Sequence, residues 1–336
     1  MTNLYACPHT LKDMTFEGTR DAAGLPEDGY YVSDVERYPV KNHLPDFCYP
    51  RTASPSDQQS LNWYKDNAQV YDDYLPLTFE TFGVDEDAER NHMIDLLEIT
   101  PAQSILEVGC GTGRDSERIA ARLNSEGRLY LQDISPDILS IAIDKFSEKK
   151  FKPEINFSLA NGSYLPFKSR SFDSVFHFGG LNTFGDIKRA FAEMVRVTKP
   201  GGRIVVGDEN MPAWLRETEF GKVLMNSNPH YRYDLPLQHL PIEARNVKVE
   251  WIIGGVFYVI SFDVGEGEPY ANLDFEIPGP RGGTHRTRYY GNIEGVTPNT
   301  KKLAQDARQK SGLSMHRWLE RAINKAASEE LGADDV

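Results

Sequence analysis

The chain has 336 residues, 40% hydrophobic and 26% charged, an ordinary globular composition with length for two or three units and a sizeable core. Its formal net charge of −13 argues against a protein that holds nucleic acid by neutralising phosphates. Three scattered cysteines, Cys7, Cys48 and Cys110, build no disulfide framework and point to a reducing, cytoplasmic setting; no secretory leader and no membrane span of about 18 apolar residues is expected.

Residues 1–55 are rich in Pro, Asp and Tyr and end in the turn-prone stretch DFCYPRTASPSD (46–57), a linker candidate behind a small N-terminal domain. From 56 to 265, short apolar runs alternate with helical patterns, which predicts strand–helix units and a mainly parallel sheet. Strands are expected at 104–108, 128–132, 155–159, 173–178 and 203–207, with a helix at 115–123 after the first. Ser135-Pro136-Asp137 opens another helix: Ser caps, Pro suits the first turn, and Asp faces the positive end of the dipole. A further helix carries Ile187, Phe191, Met194 and Val195 on one face, and Pro200-Gly201-Gly202 is expected to stop it. Runs at 247–253 and 256–262 flank Gly254-Gly255, a hairpin signal, so five parallel strands closed by an antiparallel hairpin are predicted.

The informative stretch is Glu107-Val108-Gly109-Cys110-Gly111-Thr112-Gly113. Its third glycine falls one residue earlier than in the dinucleotide fingerprint G-x-G-x-x-G, and Arg114 stands where that motif has Gly. A pyrophosphate must rest on a helix N-terminus, whereas a cofactor without phosphate needs only a loop bare of side chains. Glu107 is suited to meet a cationic centre. Asp133, at the end of the second strand, offers two acceptor oxygens to a vicinal diol. Asn161-Gly162-Ser163 is a polar turn suited to an adenine edge. A nicotinamide oxidoreductase is the nearest rival, and a purely structural turn the bland one.

In order along the chain, ILEVGCGTG, the acid in LQDIS, ANGSYLPF, SFDSVFHFGGLNTF and EMVRVTKPGGRIVV resemble the motifs of class I S-adenosylmethionine-dependent methyltransferases. Within that superfamily they are most similar to the ubiquinone/menaquinone C-methyltransferase type, over about residues 60–265. The resemblance implies an α/β, Rossmann-like, seven-stranded mixed sheet with helices on both faces, and S-adenosylmethionine as cofactor. It implies cofactor contacts at Glu107, Gly109, Cys110, Gly111, Gly113, Asp133, Ile134, Asn161, Gly162, Ser163 and Phe178. Asn161 departs from the pattern, since that family usually has Asp there, and the adenine contact is altered. Tyr64 and Tyr71 share a helix face; Tyr71 is expected to close over the sulfonium, while Tyr64 serves equally as core.

Residues 3–47 are similar to the zinc-ribbon-like domain of the tRNA-methyltransferase activator family. Cys7-Pro8 is kept, but Thr10, Tyr31 and Asp34 occupy the other ligand positions, and one thiolate builds no structural zinc site. A metal-free domain is expected, either covering the active-site mouth or merely packing. The tail, 266–336, places Arg281, Arg286 and Arg288 in a Gly-rich, flexible segment, read as a grip on an anionic acceptor or as partners for the chain's own acids. Two helices follow, opened by Thr297-Pro298 and by Ser314. The second carries an apolar stripe of Met315, Trp318, Leu319, Ala322, Ile323 and Ala326. The tail faintly resembles ribbon-helix-helix domains, but seven Lys/Arg against six Asp/Glu from 297 onward fit homodimerisation or docking better than DNA.

Methyl transfer is an in-line displacement, so alignment dominates, and a base is needed only for an acceptor that loses a proton. Candidate bases are His177, Asp208 and Glu209, at strand ends where α/β sheets open their crevice; shaping a loop or capping a helix is the alternative role. Gly179 to Asn182, with Gly180 and Asn182 named as substrate contacts, is expected to line the acceptor pocket. HFGGLN after the fourth strand lacks the N/D-P-P-Y/F/W tetrapeptide, which disfavours methylation of an exocyclic base amine. A small-molecule acceptor is the reading. The alternatives are an RNA methyltransferase, or a regulatory or DNA-binding protein that works through its tail.

Overall fold

A computed structural model describes residues 4–280 and 282–332, in two compact units, 1–269 and 270–336. The first unit begins with four antiparallel strands in sequential order: β1 (Thr15–Arg20), β2 (Pro26–Val32), β3 (Arg37–Lys41) and β4 (Leu44–Pro45). Helices α1 (Pro55–Tyr74), α2 (Pro76–Phe82) and α3 (Glu86–Asp95) follow. Then come β5 (Ser104–Val108), α4 (Arg114–Arg122), β6 (Arg128–Asp133), α5 (Pro136–Ser147), β7 (Glu154–Leu159), β8 (Phe172–Phe178), α6 (Ile187–Val197) and β9 (Thr198–Glu209). Helix α7 (Glu219–Ser227) and the hairpin β10 (Ala244–Ile252) and β11 (Phe257–Val264) complete it.

The large sheet has the order β10-β11-β9-β8-β5-β6-β7. Strands β7, β6, β5, β8 and β9 are parallel, and β11 and β10 add antiparallel at the far edge. This is the seven-stranded mixed α/β sheet expected. The period of two along each strand sorts side chains to opposite faces. Ile105, Leu129, Leu131, Phe176 and Val205 pack under α3, α4 and α5, while Leu106, Val108, Val175, Ile204 and Val206 pack against α6. Helices therefore cover both faces.

Two local expectations are corrected. Helix α1 begins at Pro55, inside the stretch taken as linker, because Ser54 caps it by accepting from the Asp57 N–H. Pro200-Gly201-Gly202 does not separate helix from strand: α6 ends at Val197 and β9 already pairs at Thr198. The three residues form an irregularity within β9, where the register shifts from Phe172↔Thr198 to Ser174↔Arg203.

The N-terminal sheet is stitched to the large one. Phe47 N–H donates to the Leu159 carbonyl at 2.8 Å, and Ala6 N–H to that of Pro166 at 3.0 Å. Tyr31, Tyr38, Val40 and Phe47 share one apolar cluster with Ala160, just beyond β7. Cys7 is buried in it with Sγ 3.5 Å from the Tyr38 hydroxyl. Among the described residues, no group of three or more His, Cys, Asp or Glu is placed to hold a metal ion, and no helix is long and apolar enough to cross a membrane.

The second unit holds α8 (His285–Tyr290), α9 (Pro298–Ser311) and α10 (Met315–Leu331), none with a buried residue. Arg286 and Arg288 lie on α8 rather than in a flexible loop, because Thr284 and Thr287 cap that helix reciprocally. Arg281 lies outside the described residues.

Candidate active site

The C-terminal ends of the parallel strands open into a cavity of about 210 Å³. Its floor is the turn after β5. Gly109, Gly111 and Gly113 have φ of 66°, 54° and 82°, a region that costs other residues energy, so a chain turning this sharply selects glycine. Gly109 also passes the His177 ring so closely that a Cβ would lie 3.3 Å from it. The Asp133 carboxylate braces the turn: one oxygen accepts the Gly111 N–H at 2.9 Å and the other the Ser135 N–H at 2.9 Å.

Beneath the turn lies a concentration of buried acid. Glu107 accepts from the Ser116 hydroxyl at 2.6 Å, and burial, followed by the nearby Asp115 charge, pushes its carboxyl well up. Burial raises Asp133 as well. Arg90, on α3, is the one cation lining this cavity that is itself almost fully buried; it donates to Asp115 at 2.8 Å and to Glu86 at 2.7 Å. Asp115 Oδ1 is buried with no hydrogen-bond partner. The cavity is lined by five carboxyls, Asp57, Glu107, Asp115, Asp133 and Glu209, against two guanidiniums, Arg90 and Arg114, an excess of acid that suits a ligand bringing positive charge. Tyr64 and Tyr71 line the cavity from α1, their rings 5.5 Å apart and edge to face.

Beyond β8 and β9 the candidates for proton transfer separate. His177 Nδ1 donates to the Val108 carbonyl at 2.6 Å, so Nε2 carries the lone pair; it is buried without a partner, and burial keeps the ring neutral. Glu209 lines the cavity, and burial together with the adjacent Asp208 pushes its carboxyl well up. Asp208 is spent on the loop, accepting the Asn182 N–H at 2.6 Å and the Glu209 N–H at 2.8 Å. Asn182 in turn donates to the Glu209 carbonyl at 2.8 Å.

Of the residues singled out from sequence, Tyr71, Glu107, Gly109, Cys110, Gly111, Asp133, Ile134, Asn161, Gly162, His177, Phe178, Gly180 and Glu209 line this one cavity. Gly113, Ser163, Asn182 and Asp208 stand behind it as supports. Within the second unit, Arg286 pairs with Asp274 at 3.1 Å and Arg288 donates to the Gly282 carbonyl at 2.9 Å. Sequence reasoning missed Asp57, Arg90 and Asp115, which also line the cavity. Ser54-Pro55 marks a helix start and would have put Asp57 in a first turn; Arg90 and Asp115 carry no local signal.

The fold is an open α/β sheet with its cavity at the C-terminal ends of the parallel strands, and residues 99–253 match the family model described as a methyltransferase domain. Among curated proteins, the chain is similar to the ubiquinone/menaquinone biosynthesis C-methyltransferase UbiE of Teredinibacter turnerae, 33% identical over 123 residues, 37% of this chain and 49% of that protein. It is also similar to the demethylmenaquinone methyltransferase of Renibacterium salmoninarum, 33% identical over 152 residues, 44% of this chain and 60% of that one. The chain spans about half the length of the curated relatives it matches. A solved structure of a putative methyltransferase from Bacillus halodurans C-125 is similar at 13% identity and a TM-score of 0.43, covering 53% of this chain and 99% of that one.

Proposed function

We propose that this protein is an S-adenosylmethionine-dependent methyltransferase acting on a small molecule in the cytoplasm. The observation that carries the reading is the glycine turn set over buried Glu107 and Asp115 and braced by Asp133. A pyrophosphate would meet those acids unfavourably, whereas a cationic sulfonium and an α-amino group would be stabilised by them. S-Adenosylmethionine, when bound, supplies an electrophilic methyl group.

The chain's own residues then orient and deprotonate. Asp133 accepts from a ribose diol through lone pairs that the Gly111 and Ser135 N–H groups leave free. Tyr71 closes the cavity from above. Glu209 is the general base, since it alone of the carboxyl pair with Asp208 lines the cavity, and burial and the Asp208 charge raise its carboxyl and so its affinity for a proton. His177 orients the turn through Val108. Quinone-ring acceptors, the class suggested by the relatives' names, fall within the substrates to screen. The unburied stripe on α10 supports a homodimer, and the N-terminal sheet reads as a metal-free relative of a zinc ribbon.

Titration calorimetry tests this. S-Adenosylmethionine and S-adenosylhomocysteine should bind and NAD should not, and Asp133→Ala should weaken binding by about 1.5–3 kcal/mol, the loss of a charged hydrogen bond. Preferential NAD binding would overturn it.

A further inference from the structure

The turn after β7 presents Asn161, an amide, to the cavity. Its Oδ1 accepts the Ser163 N–H at 2.9 Å, which orients the amide. With Oδ1 turned to the Ser163 N–H, the amide faces Asp57 and the cavity with its Nδ2, which keeps one N–H for a ligand. A carboxylate stands beside it. Asn161 Nδ2 donates at 3.2 Å to Oδ2 of Asp57, which comes from the first turn of α1, and Asp57 also lines the cavity. Asp57 Oδ1 accepts the Gly185 N–H at 3.2 Å. Each carboxylate oxygen therefore has one neutral donor and a further lone pair, and among the described residues no cation pairs with either.

The surroundings hold this pair in place. Ser56 donates to the Thr183 carbonyl, and Gly185 approaches α1 so closely that a Cβ would lie 2.4 Å from Ser54 Oγ and 2.8 Å from Asp57 Oδ2. Asp57 and Asn161 are both almost fully buried. An acceptor and a spare N–H side by side match the donor N6 amine and the acceptor ring nitrogen beside it on adenine.

We propose that Asp57 is the residue that selects a 6-amino purine in the cofactor, with Asn161 donating to the neighbouring ring nitrogen. The role of reading the base is thus shared between a helix and a strand-end turn. This rests on the nucleoside-cofactor reading above. A 6-oxo purine brings an acceptor where Asp57 also accepts, and two acceptors facing each other in a buried site repel.

The test is the ratio of dissociation constants for S-adenosylhomocysteine and S-inosylhomocysteine, measured by calorimetry on the wild-type chain, Asp57→Asn and Asp57→Ala. A ratio on one variant cancels any loss of folded protein. The wild type should prefer the adenosyl compound by about 10- to 100-fold, the worth of a hydrogen bond to a charged group. In Asp57→Asn the Gly185 N–H keeps the amide oxygen on its side, so an N–H replaces Oδ2 and the ratio should collapse toward one or invert. Asp57→Ala, which decides the matter if the first variant fails to fold, should also lose the preference. An unchanged ratio in either folded variant overturns the proposal and leaves Asp57 as a tether of α1. If the wild type binds neither compound, the cofactor reading itself falls, and this inference with it.

Discussion

Helix α1 buries one aspartate at each end, and the two carboxylates are held in opposite ways. Asp72, in the last turn, accepts from the Thr112 hydroxyl at 2.6 Å, Arg114 Nε at 3.0 Å and Lys145 Nζ at 2.7 Å, and Arg114 also donates to its carbonyl. Burial alone would raise that carboxyl, but these donors hold it below its ordinary range. Asp57, in the first turn, has one amide and one backbone N–H. A carboxylate held by three donors, two of them cations, fastens helix to glycine turn and to α5. One with lone pairs left over, at the rim of a cavity, has capacity for a ligand. The same residue type on the same helix thus does two jobs, decided by its partners' charge and number.

The strongest way to break the comparison is Asp72→Ala. It leaves Arg114 and Lys145 without their shared anion and should cost about 3 kcal/mol of stability in urea unfolding, discounted for partners that are partly exposed. Asp57→Ala removes only hydrogen bonds from neutral donors and should cost about 1–2 kcal/mol. An equal cost for both would erase the distinction. Acid sharpens it further. Because Asp72 titrates lower in the fold than in the unfolded chain, its stabilisation is complete above about pH 4 and fades as pH falls through the folded value. Wild type and Asp72→Asn should therefore converge in melting temperature below that pH.

Glu209 sets the opposite sign. Its carboxyl is raised in the fold, so its contribution is full below the unfolded value and is lost as pH rises through the folded one. Glu209→Gln should be more stable than wild type at pH 8, close to it near pH 4, and slow in methyl transfer to a protonated acceptor. Stability that is unchanged across that range would contradict the buried-acid assignment. The smallest effect belongs to Arg286→Ala, which breaks an exposed pair with Asp274; unfolding and S-adenosylhomocysteine affinity should move by less than about 0.5 kcal/mol.

Much of the architecture could be read locally. Alternating apolar runs marked every strand of the large sheet, and the glycine spacing marked the turn after β5, because both patterns repeat within a few residues. What escaped is non-local. Asp57 meets Asn161 across 104 residues and Asp72 meets Lys145 across 73, and no short pattern distinguishes such an acid from a solvated one on a helix that is otherwise polar. The start of α1 was hidden for a related reason: Ser54-Pro55 serves a loop and a helix cap equally well. Pro200-Gly201-Gly202 misled because breakers within a strand register as an irregularity when a neighbouring strand holds both sides.

The attachment of residues 46–47 to Leu159 bears on how the chain associates with its own kind. Strand β7 ends the large sheet on that side, and an open strand edge is a template for pairing with another copy. The N-terminal sheet takes up the C-terminal corner of that edge and lays Phe47 and its aromatic neighbours beside it. A chain trimmed to begin at Pro55 would uncover both the edge and an apolar surface. Such a chain should self-associate through β7, and it would also lose the Ser54 cap of α1, although every residue of the cavity is still present.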